Sequence, residues 1–241
     1  MVNTRAERLR TVRASSRSRA SLQLVKPAAT VAAIDDRRFE RLASSDTGIA
    51  SAEAAAAVGM DPFKSPVRLW MEKTGRQDLL HPTQVRDDRL TDWGRQLEPL
   101  MAAHYVRRTG RRVLHPPAAI PAVLQHPHHP WMLAPAGREV VGASDVQLLE
   151  CVSVGIPTVQ LWDGGIPTYL RLQVLHRLAV TGARAADVVV LMCGHELQVY
   201  RIERDETLIA RLIEQERAFW RCVELDQAPP ADGRPLDDAL C

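Results

Sequence analysis

Hydrophobic and polar positions change rhythm several times along the chain. From Met1 to about Ala33, Arg, Ser and Ala alternate without a sustained apolar period, which predicts a disordered or loosely helical arm. From Ile34 the pattern turns globular. Short helices are expected over Asp36–Ala43 and Ala52–Val58, the second closed by Gly59. Ser65 followed by Pro66 supplies an N-cap and a first helical residue, and the helix they start carries Leu69, Trp70 and Met71 to a stop at Gly75. A longer helix is predicted from about Asp87 to Thr109, with Leu97, Leu100, Met101, His104 and Tyr105 as its stripe and Gly110 as its end. The middle of the chain then breaks into short β-rich runs separated by Pro and Gly: Val113-Leu114, Ala122–Gln125, Trp131–Ala134, Glu139–Val141 and Val146–Val154. A helix returns over Ile166–Val180. Strands follow at Asp187–Cys193 and Glu196–Ile202, joined by a Gly194-His195 turn, and an amphipathic helix spans Glu206–Glu224. This order predicts one α/β or α+β domain over 34–226 with a mostly buried sheet, between an arm at 1–33 and a flexible tail at 227–241.

Composition sharpens that outline. Only 5% of the residues are aromatic, so alanine and aliphatic side chains must do most of the packing. No window approaches 18 uninterrupted apolar residues, which excludes a transmembrane helix and a membrane partner. The Arg-studded start lacks an apolar stretch, so no secretory signal is expected. The cysteines at 151, 193, 222 and 241 form no CxxC pair, which argues against a disulfide framework or an iron–sulfur cluster and for a reducing cytoplasm. The net charge of +2 conceals an asymmetry. Residues 1–26 hold six Arg and one Lys against one Glu, leaving the rest mildly acidic. Arg5, Arg8, Arg10 and Arg13 are therefore candidate phosphate contacts, with a solubilising extension as the alternative.

Several signatures are missing. GxxxxGK[ST], GxGxxG after a strand, HExxH and GxSxG do not occur. The run His126-Pro-His128-His129 is read as a loop, since adjacent histidines on an extended segment point apart and no acidic or Cys ligand stands at metal spacing. Arg107, Arg108, Arg111 and Arg112 bracket a helix C-terminus, where they are expected to complement its dipole, with a phosphate contact as the alternative.

Three stretches, in order, carry a family resemblance. They are GIASAEAAAAVGMDPFKSPVRLWMEKTG at 48–75, WGRQLEPLMAAHYVRRTGRRV at 93–113, and the series HPHHPWMLAPAGREVVG, LLECVSVG, IPTYLRLQVLHRLAVTG and VYRIERDETLI. Together they resemble the YqaJ-type viral recombinases, relatives of lambda exonuclease in the PD-(D/E)XK nuclease superfamily. The resemblance covers roughly residues 46–224. It implies a restriction-endonuclease-like fold whose central mixed sheet carries Trp131–Ala134, Leu148–Val152 and Val188–Cys193, flanked by helices bearing Glu98 and Gln173.

The family's chemistry needs Mg²⁺ or Mn²⁺ on hard oxygen ligands, which polarises the scissile phosphate and activates the attacking water. The resemblance places the helix carboxylate at Glu98, the strand carboxylate at Glu150 and the helix glutamine at Gln173. Glu98 and Glu150 are the implied metal ligands, and Arg95 is an implied DNA contact. The aspartate position is Gly137, the lysine position two residues after Glu150 is Val152, and a serine position falls at Ala52. Glycine offers no ligand and valine no charge, so two central groups are absent. Glu139, two residues past Gly137, is a candidate relocated carboxylate; Asp145, Arg138 and Arg171 are weaker candidates for migrated groups.

Three functions follow from this reading. The first is a phage- or prophage-type recombination protein that binds DNA, at linear ends or single-strand junctions, with its nuclease centre impaired or lost. The second is an active Mg²⁺-dependent exonuclease with migrated residues. The third is a non-catalytic interaction subunit that keeps the fold as a scaffold. A single-strand annealing protein and further copies of the chain are the implied protein partners.

Overall fold

The computed structural model describes residues 47–80, 88–114 and 123–231, with the side chains of 88–93 and 95 left aside. The arm with Arg5, Arg8, Arg10 and Arg13, the helix expected at Asp36–Ala43, the side chain of Arg95 and the end of the tail lie outside the described residues.

The chain opens with β1 (Ile49–Ala50), a 3-10 turn (Ser51–Glu53) and the short α1 (Ala54–Ala57), so the helix expected from Ala52 is tighter at its start. Helix α2 (Pro66–Lys73) begins as the sequence requires: the Ser65 hydroxyl accepts from the Arg68 N–H at 3.2 Å and Pro66 takes the first helical position. The long α3 (Asp88–Thr109) leads into β2 (Arg112–Leu114), β3 (Val123–Gln125), β4 (Met132–Pro135), β5 (Arg138–Val141) and β6 (Leu148–Val154). After a 3-10 segment at Ile156–Trp162 come α4 (Thr168–Thr181), β7 (Ala185–Met192), β8 (Glu196–Glu203) and α5 (Glu206–Glu224). Gly182 closes α4 at φ 70°, a left-handed position that glycine adopts without a Cβ penalty.

The main sheet has the order β2-β5-β6-β7-β8; only β6 and β7 run parallel. Strand β7 lies beside two neighbours and is covered on both faces, which is why it reads as a Val-rich run broken only by Asp187, whose carboxylate accepts from Tyr105 and Arg201. Val188 and Val190 pack with Leu148, Val174, Leu175 and Leu178 on the α4 side. Val189 packs with Met101, Tyr105, Val140 and Leu149 on the α3 side.

One expectation is corrected. Trp131–Ala134 does not share a sheet with Leu148–Val152 and Val188–Cys193: β4 belongs to a separate three-stranded sheet, β1-β4-β3. The parallel pairing of β1 with β4 depends on Gly48, where a Cβ would come within 2.4 Å of the Trp131 carbonyl oxygen. The Ile49 N–H donates to that same oxygen at 2.6 Å.

A buried polar staple fixes α4 against α5 and β4. His176 is fully buried; its Nδ1 lies 2.7 Å from Glu216 Oε1 and its Nε2 donates to the Leu133 carbonyl at 3.0 Å. His176 thus belongs to the core, although it sits one helical turn from Gln173.

Candidate functional site

Of the two carboxylates named from the sequence, Glu98 stands on α3 and Glu150 on β6. In an antiparallel ladder, directly opposed residues face the same way, and along a strand the faces alternate. Arg138 opposes Leu149, so Arg138, Leu149 and Cys151 turn toward α3, where Glu98 stands. Glu150 turns the other way, toward α4. The Cys151 thiol lies 3.9 Å from the Glu98 main-chain oxygen, and burial pushes that thiol up to about 12, so it is inert as a nucleophile.

Each carboxylate has its own arginine. Arg138 Nη1 donates to Glu98 Oε2 at 2.6 Å. Arg177, from α4, closes on Glu150 through Nη1, while its Nη2 donates to the Pro135 carbonyl at 2.9 Å. The Arg177 side chain is only 9% exposed, against 21% for Glu150. Nε of both arginines is buried without a partner. Burial raises the Glu150 carboxyl above the ordinary carboxylate range; the charge and hydrogen bond of Arg177 oppose that, and the charge of Glu98 adds to it.

Gly137 completes the arrangement. Extending the β5–β6 register by one residue from the Arg138–Leu149 pair sets Gly137 opposite Glu150, on the same face. A Cβ built at Gly137 would sit 1.6 Å from Arg177 Nη2 and 2.6 Å from its Cζ. The volume of an aspartate side chain is therefore filled by guanidinium. Val152, in the lysine position, is half-buried against the α4-side core. The arginine brings in from α4 the positive charge that a lysine on β6 would have supplied.

The other named residues fall around this core. Gln173, one turn before Arg177 on α4, donates through Nε2 to the Ala52 carbonyl at 3.3 Å, which ties α4 to the 3-10 turn at Ser51–Glu53. Glu139 shares the strand face of Glu150 but opposes Leu148, two residues or ~6.6 Å along the ladder, and is exposed. Asp145 is drawn away to Arg111 and Arg201, at 2.7 and 2.6 Å, and their hydrogen bonds hold its carboxyl well below the usual range. His126 Nδ1 accepts from the N–H groups of His128 and His129, both at 3.1 Å, so this run is a self-bonded loop.

Sequence reasoning missed Arg177. The available signal was its i+4 relation to Gln173 on an otherwise apolar helix face: a buried guanidinium there demands a carboxylate, and Glu150 had lost both of its expected neighbours.

The Mg²⁺ or Mn²⁺ implied by the resemblance does not fit these side chains. Among the described residues, no three of His, Cys, Asp or Glu converge as a ligand set. Glu98 and Glu150 already meet full positive charges. A unit charge ~4 Å from a guanidinium meets ~4 kcal/mol of repulsion at an effective dielectric of ~20, and a divalent ion roughly twice that.

Comparison with known proteins agrees with the fold. Residues 42–184 match the family described as the YqaJ-like viral recombinase domain. The chain is 32% identical over 200 residues to the uncharacterized protein YqaJ of Bacillus subtilis (strain 168), covering 81% of this chain and 60% of that one. It therefore spans about three-fifths of that relative's length. The crystal structure of an alkaline exonuclease from Laribacter hongkongensis superimposes with a TM-score of 0.57 at 19% identity, covering 80% of this chain and 94% of the other. The same exonuclease in complex with dAMP gives a TM-score of 0.57 at 21% identity, covering 78% and 93%. The chain belongs to the YqaJ-like viral recombinase family and shares the fold of the alkaline exonuclease.

Proposed function

We propose that this is a DNA-binding recombination protein of the exonuclease fold whose nuclease centre is impaired or lost. The observation that carries the reading is the Arg177 guanidinium, closed on Glu150 and filling the space over Gly137. Removing one electrostatic partner of a transition state commonly costs about two to three powers of ten in rate. Here a carboxylate and a cation are both missing from their positions, and the two remaining carboxylates are held in ion pairs.

Binding is assigned to a groove beside Glu98 and Glu150, where the fold's scaffold persists, and to the basic arm. Arg5, Arg8, Arg10, Arg13 and Arg95 supply phosphate contacts in this reading, and linear ends or single-strand junctions are the preferred substrates. The related exonuclease solved with dAMP supports a nucleotide-bearing substrate. Among the described residues no helix is long and apolar enough to cross a membrane, in keeping with work on DNA in the cytoplasm.

The test is a Mg²⁺ and Mn²⁺ titration on end-labelled linear duplex that scores retention and digestion together. Retention without digestion is expected at every metal concentration. Digestion by the unmodified protein, abolished by Glu150→Ala and by Glu139→Ala, would establish relocated catalysis instead. That rival has one observation in its favour, the exposed Glu139 on the face of Glu150. Neither retention nor digestion would leave the fold as a scaffold for protein contacts.

A further inference from the structure

We infer that Arg177 is the resident cation of this centre: its guanidinium fills the place between Glu150 and position 137 and closes the site to a divalent ion. The inference deepens the proposed function and rests on the same reading of Glu98 and Glu150, but it does not require that DNA be bound.

Three independent observations converge on Arg177. First, its charge is where a metal's would be. Nη1 meets Glu150, the strand carboxylate, and Nη2 meets the Pro135 carbonyl, a hard oxygen from the end of β4. A carboxylate and a main-chain carbonyl are oxygen donors of the kind that hold Mg²⁺ or Mn²⁺. Second, its volume is where a ligand's would be: a Cβ at Gly137 would overlap Nη2 at 1.6 Å. Glycine at 137 and arginine at 177 are thus a matched pair. Third, the cluster is neutral without any ion. Glu98 with Arg138 and Glu150 with Arg177 balance charge for charge, so an added divalent cation finds no excess negative charge to neutralise.

This has a consequence for restoring the lost groups. Gly137→Asp alone places a new carboxylate against a guanidinium that already stands there. Arg177 is the end of a flexible side chain, so it can shift and bind that carboxylate bidentately, which Arg does well. The result is a three-member ion cluster, still closed to metal. Val152→Lys adds a second cation beside the first. Only shortening Arg177 vacates the site.

The experiment is a Mn²⁺ titration of the full chain without DNA, followed by the electron paramagnetic resonance of the free ion, with thermal melting as a second readout. The unmodified protein, Glu150→Gln and Gly137→Asp should show no saturable uptake of Mn²⁺. Gly137→Asp/Arg177→Ala should take up one ion per chain, saturating at least tenfold below the highest Mn²⁺ concentration at which Gly137→Asp shows no uptake, and its melting temperature should rise with Mn²⁺. Two results would overturn the inference. One is stoichiometric uptake by the unmodified protein that Glu150→Gln abolishes, a comparison that needs no destabilised variant. The other is equal uptake by Gly137→Asp and by the double variant. Because no nucleic acid is present, failure here is distinct from failure of DNA retention.

Discussion

At the scale of single residues, the ion pair of Arg177 with Glu150 fixes the state of the centre. Both partners are largely withdrawn from water, so removing one strands the other. Arg177→Ala should cost about 2–4 kcal/mol, somewhat less than a fully buried pair because Glu150 keeps 21% of its exposure. Arg177→Leu and Glu150→Leu combined should cost much less than those two single changes added together. Urea unfolding of the four proteins in a double-mutant cycle measures this, and additive costs would show that the pair is not coupled. Glu98, Glu150 and Gln173 were nominated from the sequence because each stands in a long motif. Arg177 was not, because its importance depends on an empty volume at Gly137 that only the packing of α4 against the β5–β6 ladder creates. Glu139 illustrates the opposite case. Its face follows from strand alternation, whereas its displacement along the ladder needs the register.

At the scale of elements, periodicity located most of the helices and the buried strands, since β7 is apolar apart from Asp187 and α3 buries Met101 and Tyr105, although Leu100 of its expected stripe is exposed. Partnering was less legible. Strand β4 resembles its neighbours in composition, and its departure to a second sheet is decided by a two-residue strand, β1, which is too short to give a pattern. The loop after β3 offers a direct measurement. His126 is held down to about 4 from the ordinary 6.5, first by burial and then by the charges of His129 and His128. Its Nδ1 lone pair is already accepting two backbone N–H groups. Between pH 6.5 and about 4 the unfolded chain therefore binds a proton that the folded chain refuses, so stability falls as the pH falls through that window. His129 is shifted in the same direction. In His126→Asn, whose amide oxygen can still accept but does not titrate there, the pH dependence of the melting temperature should be shallower. An unchanged slope would remove His126 from the explanation.

At the scale of the whole molecule, charge is divided between a basic arm and a mildly acidic body. If the arm contributes phosphate contacts, binding to duplex DNA should weaken steeply with salt through counterion release. Deleting residues 1–26 should then flatten the plot of log affinity against log salt, and an unchanged slope would reduce the arm to an extension. The family and fold were legible because motifs spread over most of the chain recur in order. Whether the centre still works was not, because absent side chains say what is missing without saying what has taken their place. The central claim is that Arg177 has taken that place. It is tested most directly by an anomalous difference map at the manganese edge from crystals of the full chain soaked in MnCl₂. Arg177 should be closed on Glu150, with no manganese peak between Glu150 and Gly137. A manganese peak held by Glu98 and Glu150, with Arg177 swung clear, would contradict it.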